Sequence, residues 1–274
     1  AGIYADDYKA VIRDDIKKVL GVVSPQYKLV QNHEVFSIAE AFGNEVVVES
    51  AGSVQDGRKA YLMLKGDSFR TGNYDDDICK YMALMWSHDK SQSITIIPTS
   101  IRIVCKNTLD MVLGNSKSAQ NKIVLKHHGD IDEKIYQAKE AIGKFKETGK
   151  FFETQVKSLA NTTPSRRDVT QFFLDVYQRL NKVTIATNPV SAEEEQTKIK
   201  ALTTISDWAG TFEEEGITCG YSYWVAANAV TNSIQHRVSA RGKKKSPASR
   251  AYSNLIGDGA KSSRQVVEHA LQLV

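Results

Sequence analysis

The chain contains no apolar run long enough to cross a membrane, and only three cysteines and five prolines occur among its 274 residues. A membrane-spanning helix needs about 20 consecutive apolar residues, so the sequence excludes a helical membrane protein. The N-terminus also lacks the charged-then-apolar pattern of a secretory signal. We therefore expect a cytoplasmic protein with no membrane partner.

The cysteines are too few and too widely spaced to form a disulfide framework or a zinc site. Cys79, Cys105 and Cys219 are odd in number and form no C-x-x-C pair, which argues against disulfides and a zinc ribbon and indicates a reducing compartment. Cys105 follows the apolar run IRIV and precedes Lys106, a neighbour that could lower a thiol pKa. A small buried strand-end residue is the favoured interpretation, and a catalytic thiol is the weaker one.

Nucleotide-binding motifs are absent as well. The sequence has neither G-x-x-x-x-G-K-[ST] nor a G-x-G-x-x-G after a strand. Any activity on DNA is therefore expected to be independent of ATP, and no cofactor is predicted.

Histidine pairs are the main candidates for chemistry in the N-terminal half. His88-Asp89 and His127-His128 could form a metal or acid–base site if the fold brought them together, but adjacent residues on a strand point to opposite faces. We favour a polar connection at His88-Asp89 and a strand end at the His pair. A metal-dependent nuclease or hydrolase around His88, Asp89 and His127 remains the alternative, and an acidic run ending at Asp77 is expected to be a solvated loop.

The first 125 residues have the patterning of β-strands. Val46–Val48 and Ala60–Leu64 flank a connection with Asp and Gly and predict a hairpin. Further strands are predicted at Tyr81–Trp86, from Ile94 to Cys105, and at Lys122–His128. Pro98 inside an apolar run demands a bulge, an edge or a bend. The pattern predicts an α+β fold with an antiparallel, hairpin-rich sheet in the N-terminal half.

The period then changes to that of a long amphipathic helix of about 30 residues. Its apolar seam consists of Ile131, Ile135, Ala138, Ile142, Phe145, Gly149, Phe152, Val156 and Leu159. We favour packing of this seam across the sheet; contact with a neighbouring subunit is the alternative, and Gly149 is the weak point of either.

A helical C-terminal half follows. Helices are predicted to begin at Thr163-Pro164, at Ser191 with Glu194, and after a Gly216–Gly220 turn, with a last short helix around Val266. Residues 240–250 carry Gly, Ser and Pro and are predicted to be a mobile loop rather than a helix. We expect a sheet-rich unit over residues 1–160 and a helical region over 161–274, packed together as one unit.

Positive charge is concentrated at the C-terminal end. The net charge is +4, but residues 221–274 contain eight Lys and Arg against two acidic residues, which indicates binding to a polyanion. A single-strand groove combines cations for phosphates with aromatic faces for bases. The candidate contacts are Arg58, Lys59, Tyr61, Arg70, Arg102, Lys106, Arg237, Arg241, Lys243, Lys244, Lys245 and Arg250, with Trp86, Tyr61 and Tyr223 as stacking residues. Strand alternation predicts that Arg102 stands apart from the apolar face.

Five segments carry a family resemblance. They are GVVSPQYKLVQNHEVF, ESAGSVQDGRKAYLM, WSHDKSQSITIIPTSIRIVCKNTL, KHHGDIDEKIYQA and YWVAANAVTNSIQHR. In this order they resemble the phage/plasmid-like family catalogued as domain of unknown function nine-three-two. Its layout of hairpins and a long helix is similar to that of single-strand annealing proteins of the RecT/Redβ and Rad-fifty-two types, an argument from fold analogy.

The resemblance implies a DNA-metabolism protein in the cytoplasm of a bacterial host. It would bind single-stranded DNA, assemble as a ring- or helix-shaped homo-oligomer and anneal strands without ATP, as in recombination or replication. This chain departs from those annealing proteins in one respect. They often have a strongly basic sheet region, whereas the first 220 residues here carry a net charge of −2. The resemblance therefore does not locate a DNA-binding groove. A structural or interaction oligomer is a further alternative.

Overall fold

Eight strands and seven helices follow one another in the residues that the computed structural model describes, which are 7–71, 76–102, 108–110, 123–125, 131–236 and 247–274. The strands are β1 (Lys9–Arg13), β2 (Lys18–Val23), β3 (Val47–Val54), β4 (Lys59–Arg70), β5 (Asp77–Ser87), β6 (Ile94–Arg102), β7 (Thr108–Asp110) and β8 (Ile123–Leu125). The helices are α1 (Asn32–Glu40), α2 (Ile131–Asn161), α3 (Arg166–Asn181), α4 (Ala192–Cys219), α5 (Tyr223–His236), α6 (Pro247–Ile256) and α7 (Asp258–Leu271). The predicted α+β class is confirmed.

The main sheet is antiparallel and has the order β3-β4-β5-β6-β7, with β8 pairing β6 beside β7. The predicted hairpin is confirmed, with longer arms that pair Val48 with Leu64. Pro98 lies opposite Met82 in an unbroken register with β5. On the other side of β6, residues 94–96 pair with β8 and residues 99–101 pair with β7. Pro98 lies between these two stretches and faces no strand of the described residues there, so its missing N–H breaks no ladder and no bulge is needed.

Both faces of this sheet are buried. One face, with Leu62, Ile78 and Leu84, belongs to the main core and packs against the helices. The opposite face carries Met85 and Ile97 beneath Leu255 of α6.

The register of β6 puts position 102 and its neighbour on opposite faces of the sheet. Position 102 lies directly opposite Ile78, and Ile101 lies opposite Cys79. The side chain of Arg102 lies outside the described residues, so its expected position apart from the apolar face stays a prediction.

The long helix is confirmed and packs on the sheet. Phe145, Phe152, Val156 and Leu159 are all buried in the main core, and the Phe152 ring meets Phe69 of β4 edge-on at 6.1 Å. A Cβ at Gly149 would lie 3.1 Å from the Lys80 side chain. Glycine here leaves room for the Lys80 side chain between the helix and the sheet.

The C-terminal helices follow the predicted order with shifted boundaries. Ser165, and not Thr163-Pro164, caps α3, since its hydroxyl accepts from the Asp168 N–H at 3.2 Å. Ser191 caps α4 as predicted. That helix continues through Gly216 to Cys219 and stops at Gly220, whose φ of 78° favours glycine.

The predicted loop over residues 240–250 is wrong for its last part. Pro247 to Arg250 form the first turn of α6, where proline is well tolerated because the first helical N–H needs no partner. Residues 237–246 lie outside the described residues.

A single core cluster joins the two halves of the chain. It contains sheet residues such as Leu62 together with Phe172, Trp224 and Val266 from the C-terminal helices. Trp224 Nε1 also donates to Asp76 Oδ2 at 3.0 Å, and Asp76 is fully buried. The expected solvated acidic loop is therefore wrong for this residue. The division near residue 160 stays a prediction. None of the helices in the described ranges has the length and apolar character needed to cross a lipid bilayer.

The strands β1 and β2 form a separate antiparallel hairpin that the sequence did not predict. One face packs through Val11, Leu20 and Val23. The hairpin and the short helix α1 stand over the end of the main sheet where β4 begins and β5 finishes, and together they enclose a cavity.

Candidate functional site

A cavity of about 550 Å³ lies between the β1–β2 hairpin, the start of α1 and the β3–β4 turn. Its apolar wall includes Val11, Leu20, Leu29 and Ala60, and its polar lining includes Arg13, Asp14, Asp15, Gln31, Asn32 and His88. A concave pocket in which several polar groups converge beside apolar surface is a candidate small-ligand site.

A buried hydrogen-bond network stands behind this cavity. Asn32 Oδ1 accepts from Trp86 Nε1 at 3.1 Å and is also 3.0 Å from His88 Nε2. Trp86 and His88 are both buried, whereas Asn32 is exposed at the first position of α1. The two rings therefore orient an amide that faces outward.

The chemistry of these groups fixes their protons. An indole N–H can only donate, so the amide atom of Asn32 that faces Trp86 must be oxygen. His88 Nε2 then has to donate to the same oxygen, which assigns a proton to that nitrogen. The NH₂ of Asn32, with two donors, is left on the opposite side of the amide.

The connection after β5 is held against the hairpin. A Cβ at Gly21 of β2 would lie 2.8 Å from Asp89 Cα, so glycine permits this contact. Partial burial raises the pKa of Asp89, but hydrogen bonds from Ser91 outweigh it and the pKa lies below the usual value. The predicted polar connection is confirmed for Asp89, while His88 turns inward.

Ion pairs lie along the hairpin side of the cavity. Arg13 holds Asp15 with two hydrogen bonds of 2.8 Å and donates to the Asp56 carbonyl at 3.1 Å. Hydrogen bonding to Arg13 lowers the pKa of Asp15. Lys18 bonds the Asp56 carboxylate, so the hairpin is tied to the β3–β4 turn by charged groups on both sides.

A second cavity of about 410 Å³ lies between α2 and the main sheet. Lys80, with only 7% of its side chain exposed, donates to Asp67 at 3.0 Å and to Glu153 at 3.2 Å. Burial raises the pKa of Glu153, but hydrogen bonds from Lys157 and Lys80 outweigh it and lower the pKa below its usual value. The cations and carboxylates in this cleft largely neutralise one another.

The predicted nucleic-acid contacts of β4 lie at opposite ends of the strand. Arg58 and Lys59 stand at the rim of the first cavity, where the Arg58 carbonyl accepts from the His88 N–H at 2.8 Å. Arg70 is paired with Asp77 at 3.0 Å. Twelve residues of strand at about 3.3 Å each put the two ends roughly 35–40 Å apart, so one local patch does not contain both.

The three proposed stacking residues have different environments. Trp86 and Tyr223 are buried in the main core, and neither can offer a ring face to a base without opening the fold. Tyr61 is half-buried and packs over Gly52. Among these aromatics only Tyr61 keeps a partly accessible side chain.

The remaining predicted contacts fall mainly outside the described residues. These are Lys106, Arg237, Arg241, Lys243, Lys244 and Lys245, and the same holds for Cys105, His127 and His128. Arg250 is half-buried in α6, and position 102 is described by its backbone. Within the described ranges no three His, Cys, Asp or Glu residues are grouped so that they could hold a metal ion.

Sequence reasoning missed Asn32 and the role of His88. The two residues are 56 positions apart, and no spacing rule connects them. One signal was present, because three of the segments that carry the family resemblance supply residues to this cavity: Gln31 and Asn32 from the first, Gly57 from the second and His88 from the third.

Comparisons with known proteins identify a family but no characterised relative. No curated protein and no solved structure matches the chain. The family described as "Domain of unknown function (DUF932)" matches residues 19–255, a range that includes the Asn32–His88 network and α1 to α5 in full. The chain therefore belongs to the DUF932 family.

Proposed function

We propose that this protein binds single-stranded DNA through the cationic segment 237–250 and promotes annealing without ATP. The observation that carries the proposal is the distribution of charge. Six cations occur from Arg237 to Arg250, while no aspartate or glutamate occurs between Glu215 and Asp258. Such a run attracts phosphates and releases their counterions.

The flanking structure supports access to this segment. Helix α5 ends at the exposed residue His236, and Ser249 in the first turn of α6 is also exposed. The chain therefore enters and leaves the segment at the protein surface. The N-terminus of α6 adds the positive end of a helix dipole beside the lysines.

The triple substitution K243Q/K244Q/K245Q should weaken binding to a labelled single strand by at least about tenfold at low salt. Each phosphate contact contributes about 0.7 to the slope of log affinity against log salt for single strands, so losing three should flatten that slope by about 2. Fluorescence anisotropy between ~50 and ~200 mM salt measures both effects.

The matched control is K150Q/K182Q/K200Q, which removes the same charge from three exposed lysines elsewhere. It should leave the affinity within about twofold, since those lysines are remote in sequence from the cationic run. Absence of strand binding by the wild-type protein, or equal losses in the two variants, would contradict the proposal. Annealing is read separately, from fluorescence transfer between two complementary labelled strands.

Self-association is a second proposal, and the β1–β2 hairpin is the surface that favours it. Its outer face exposes about half of each of three apolar side chains: Tyr8, Val19 and Val22. Contiguous apolar surface of this kind commonly marks an interaction site. The described part of the α2 seam is already buried within the chain, so it does not supply the contact.

If a second copy covers this hairpin face, the double substitution V19K/V22K should shift the protein to a smaller assembly. Charge on an apolar interface is costly because it loses its hydration. Size-exclusion chromatography with light scattering, with and without single-stranded DNA, measures the mass. The control I199K/L202K places the same charge on two exposed apolar residues of α4; a wild-type monomer, or equal shifts in both variants, would refute this use of the hairpin.

A further inference from the structure

We propose that the cavity beside Asn32 receives one unstacked nucleobase of a single strand, with the Asn32 amide donating a hydrogen bond to an acceptor on the base edge. This inference rests on the proposed binding of single-stranded DNA and adds a base-reading site distant in sequence from the 237–250 segment. Bases of DNA and RNA share the required chemistry.

The hydrogen bonds from Trp86 and His88 hold the Asn32 side chain in one orientation. A buried tryptophan and a buried histidine both use the same amide oxygen, which leaves the NH₂ of this cavity-lining residue as the group that can donate to a ligand. Holding two large rings in one orientation restricts the amide to a single direction. Recognition groups are held in this way when a ligand acceptor must meet them without reorganisation.

The walls suit a flat heterocycle rather than an aliphatic chain or a phosphate. Val11, Leu20 and Leu29 provide apolar surface for the faces of a ring. Asp14 and Asp15 line the same cavity and are paired with Lys17 and Arg13, so the lining has little net charge there. Their carboxylate oxygens can accept further hydrogen bonds from ring or exocyclic N–H groups. A neutral ligand with both donors and acceptors on its edge, such as a nucleobase, matches this lining.

The backbone of the strand has a place outside the cavity. Arg58 is exposed next to Gly57, which lines the cavity, and Lys59 adjoins Ala60 in the wall. Phosphates flanking an inserted base would therefore meet cations at the rim. A base inside and phosphates at the rim is the general arrangement by which proteins hold an unstacked nucleotide.

The substitution Asn32→Asp separates recognition from folding. An aspartate keeps an oxygen for Trp86 and His88 but removes both NH₂ donors. With a normal homothymidine strand, N32D should bind roughly three- to tenfold more weakly than wild type, the range expected for one lost hydrogen bond. With an abasic strand of the same length, the two proteins should bind alike, so N32D should lose much of the preference that wild type shows for the base-containing strand.

A second variant tests whether the base occupies the cavity, independently of the hydrogen bond from Asn32. Ser53 lies on the cavity wall and is exposed on β3, so Ser53→Trp fills the cavity with little risk to the core. It should abolish the preference for bases over abasic sites. Ser50→Trp on the same strand, away from the cavity, and Asn188→Asp on an exposed bend are the matched controls and should behave like wild type.

The outcomes distinguish this inference from the proposed function. If single strands bind but wild type, N32D and S53W discriminate equally between base-containing and abasic strands, the base site is refuted and strand binding stands. If no strand binds, a titration with the four deoxynucleosides decides, followed by NMR of the Trp86 indole and His88 ring signals. Shifts that are lost in S53W support the site, and unchanged signals overturn it.

Discussion

Replacing Trp224 with alanine should lower the free energy of unfolding by about 3–5 kcal/mol, the range for removing a buried aromatic side chain. Trp224 is 1% exposed in the core shared by the sheet and the C-terminal helices. Its indole N–H also donates to Asp76, which is fully buried at the start of β5. Urea denaturation followed by circular dichroism measures the loss.

A pair of conservative variants isolates the hydrogen bond within that effect. Trp224→Phe keeps most of the ring but removes the donor to Asp76, whereas Trp208→Phe removes an indole whose Nε1 has no hydrogen-bond partner among the described residues. Both tryptophans are buried. We expect W224F to cost about 1–3 kcal/mol more than W208F, since the buried Asp76 carboxylate then loses the hydrogen bond from the indole. Equal costs would show that packing alone accounts for Trp224.

Lys80→Ala should cost about 2–4 kcal/mol, whereas Lys80→Met should stay within about 1 kcal/mol of wild type. The lysine stem packs against Gly149, and its ammonium lies 5.3 Å from the Phe69 ring centroid. Alanine removes this packing and leaves a cavity, while methionine fills it. Neither carboxylate becomes a buried, unpaired charge when the Lys80 ammonium is removed. Asp67 is 70% exposed to water, and Glu153 keeps its ion pair with Lys157 at 2.7 Å.

A titration provides the independent readout for Lys80. Glu153 accepts a hydrogen bond from Lys80 that lowers its pKa, so the pKa of Glu153 should rise in K80M when followed by NMR. The group has a depressed pKa in the folded protein, and its contribution to stability is present above the unfolded value and is lost as the pH falls through the folded value. K80M should therefore reduce the loss of stability on acidification.

The matched control for Lys80 is Lys146→Met. Lys146 pairs with Glu45 at 2.9 Å in the same cleft, but about half of each side chain is exposed. An exposed ion pair contributes about 0–1 kcal/mol, so both K146M and K146A should be close to wild type. A K80M variant as unstable as K80A would mean that the buried charge, and not the packed stem, holds α2 to the sheet.

Patterns that repeat along one element were predictable from sequence. The β3–β4 hairpin, the 31-residue helix α2 and the cap at Ser191 all follow from local periodicity and turn chemistry. The short helix α1 was not predictable in the same way, because only Val35, Ile38 and Ala39 are buried on it. The β1–β2 hairpin shows apolar residues on both faces, which hides the alternation that marks a half-buried strand.

The candidate site was predictable only in part. The cationic segment 237–250 was predictable directly, because a run of charge can be counted in the sequence without three-dimensional information. The base-reading cavity depends on Asn32, Trp86 and His88, which come from different elements. Arg70 was a reasonable phosphate contact by sequence, but its pairing with Asp77 arises only when β4 and β5 align in register.

The sequence by itself determined the α+β class, the order of the main elements, the family and the concentration of positive charge at one end. The tertiary structure decided which of these residues meet. It turned His88 inward to share an oxygen with Trp86 and left Asn32 facing a cavity. The physical reason is that local patterns record the preferences of neighbouring residues, whereas a site is made by contacts between elements whose register and packing are fixed only when the whole core forms.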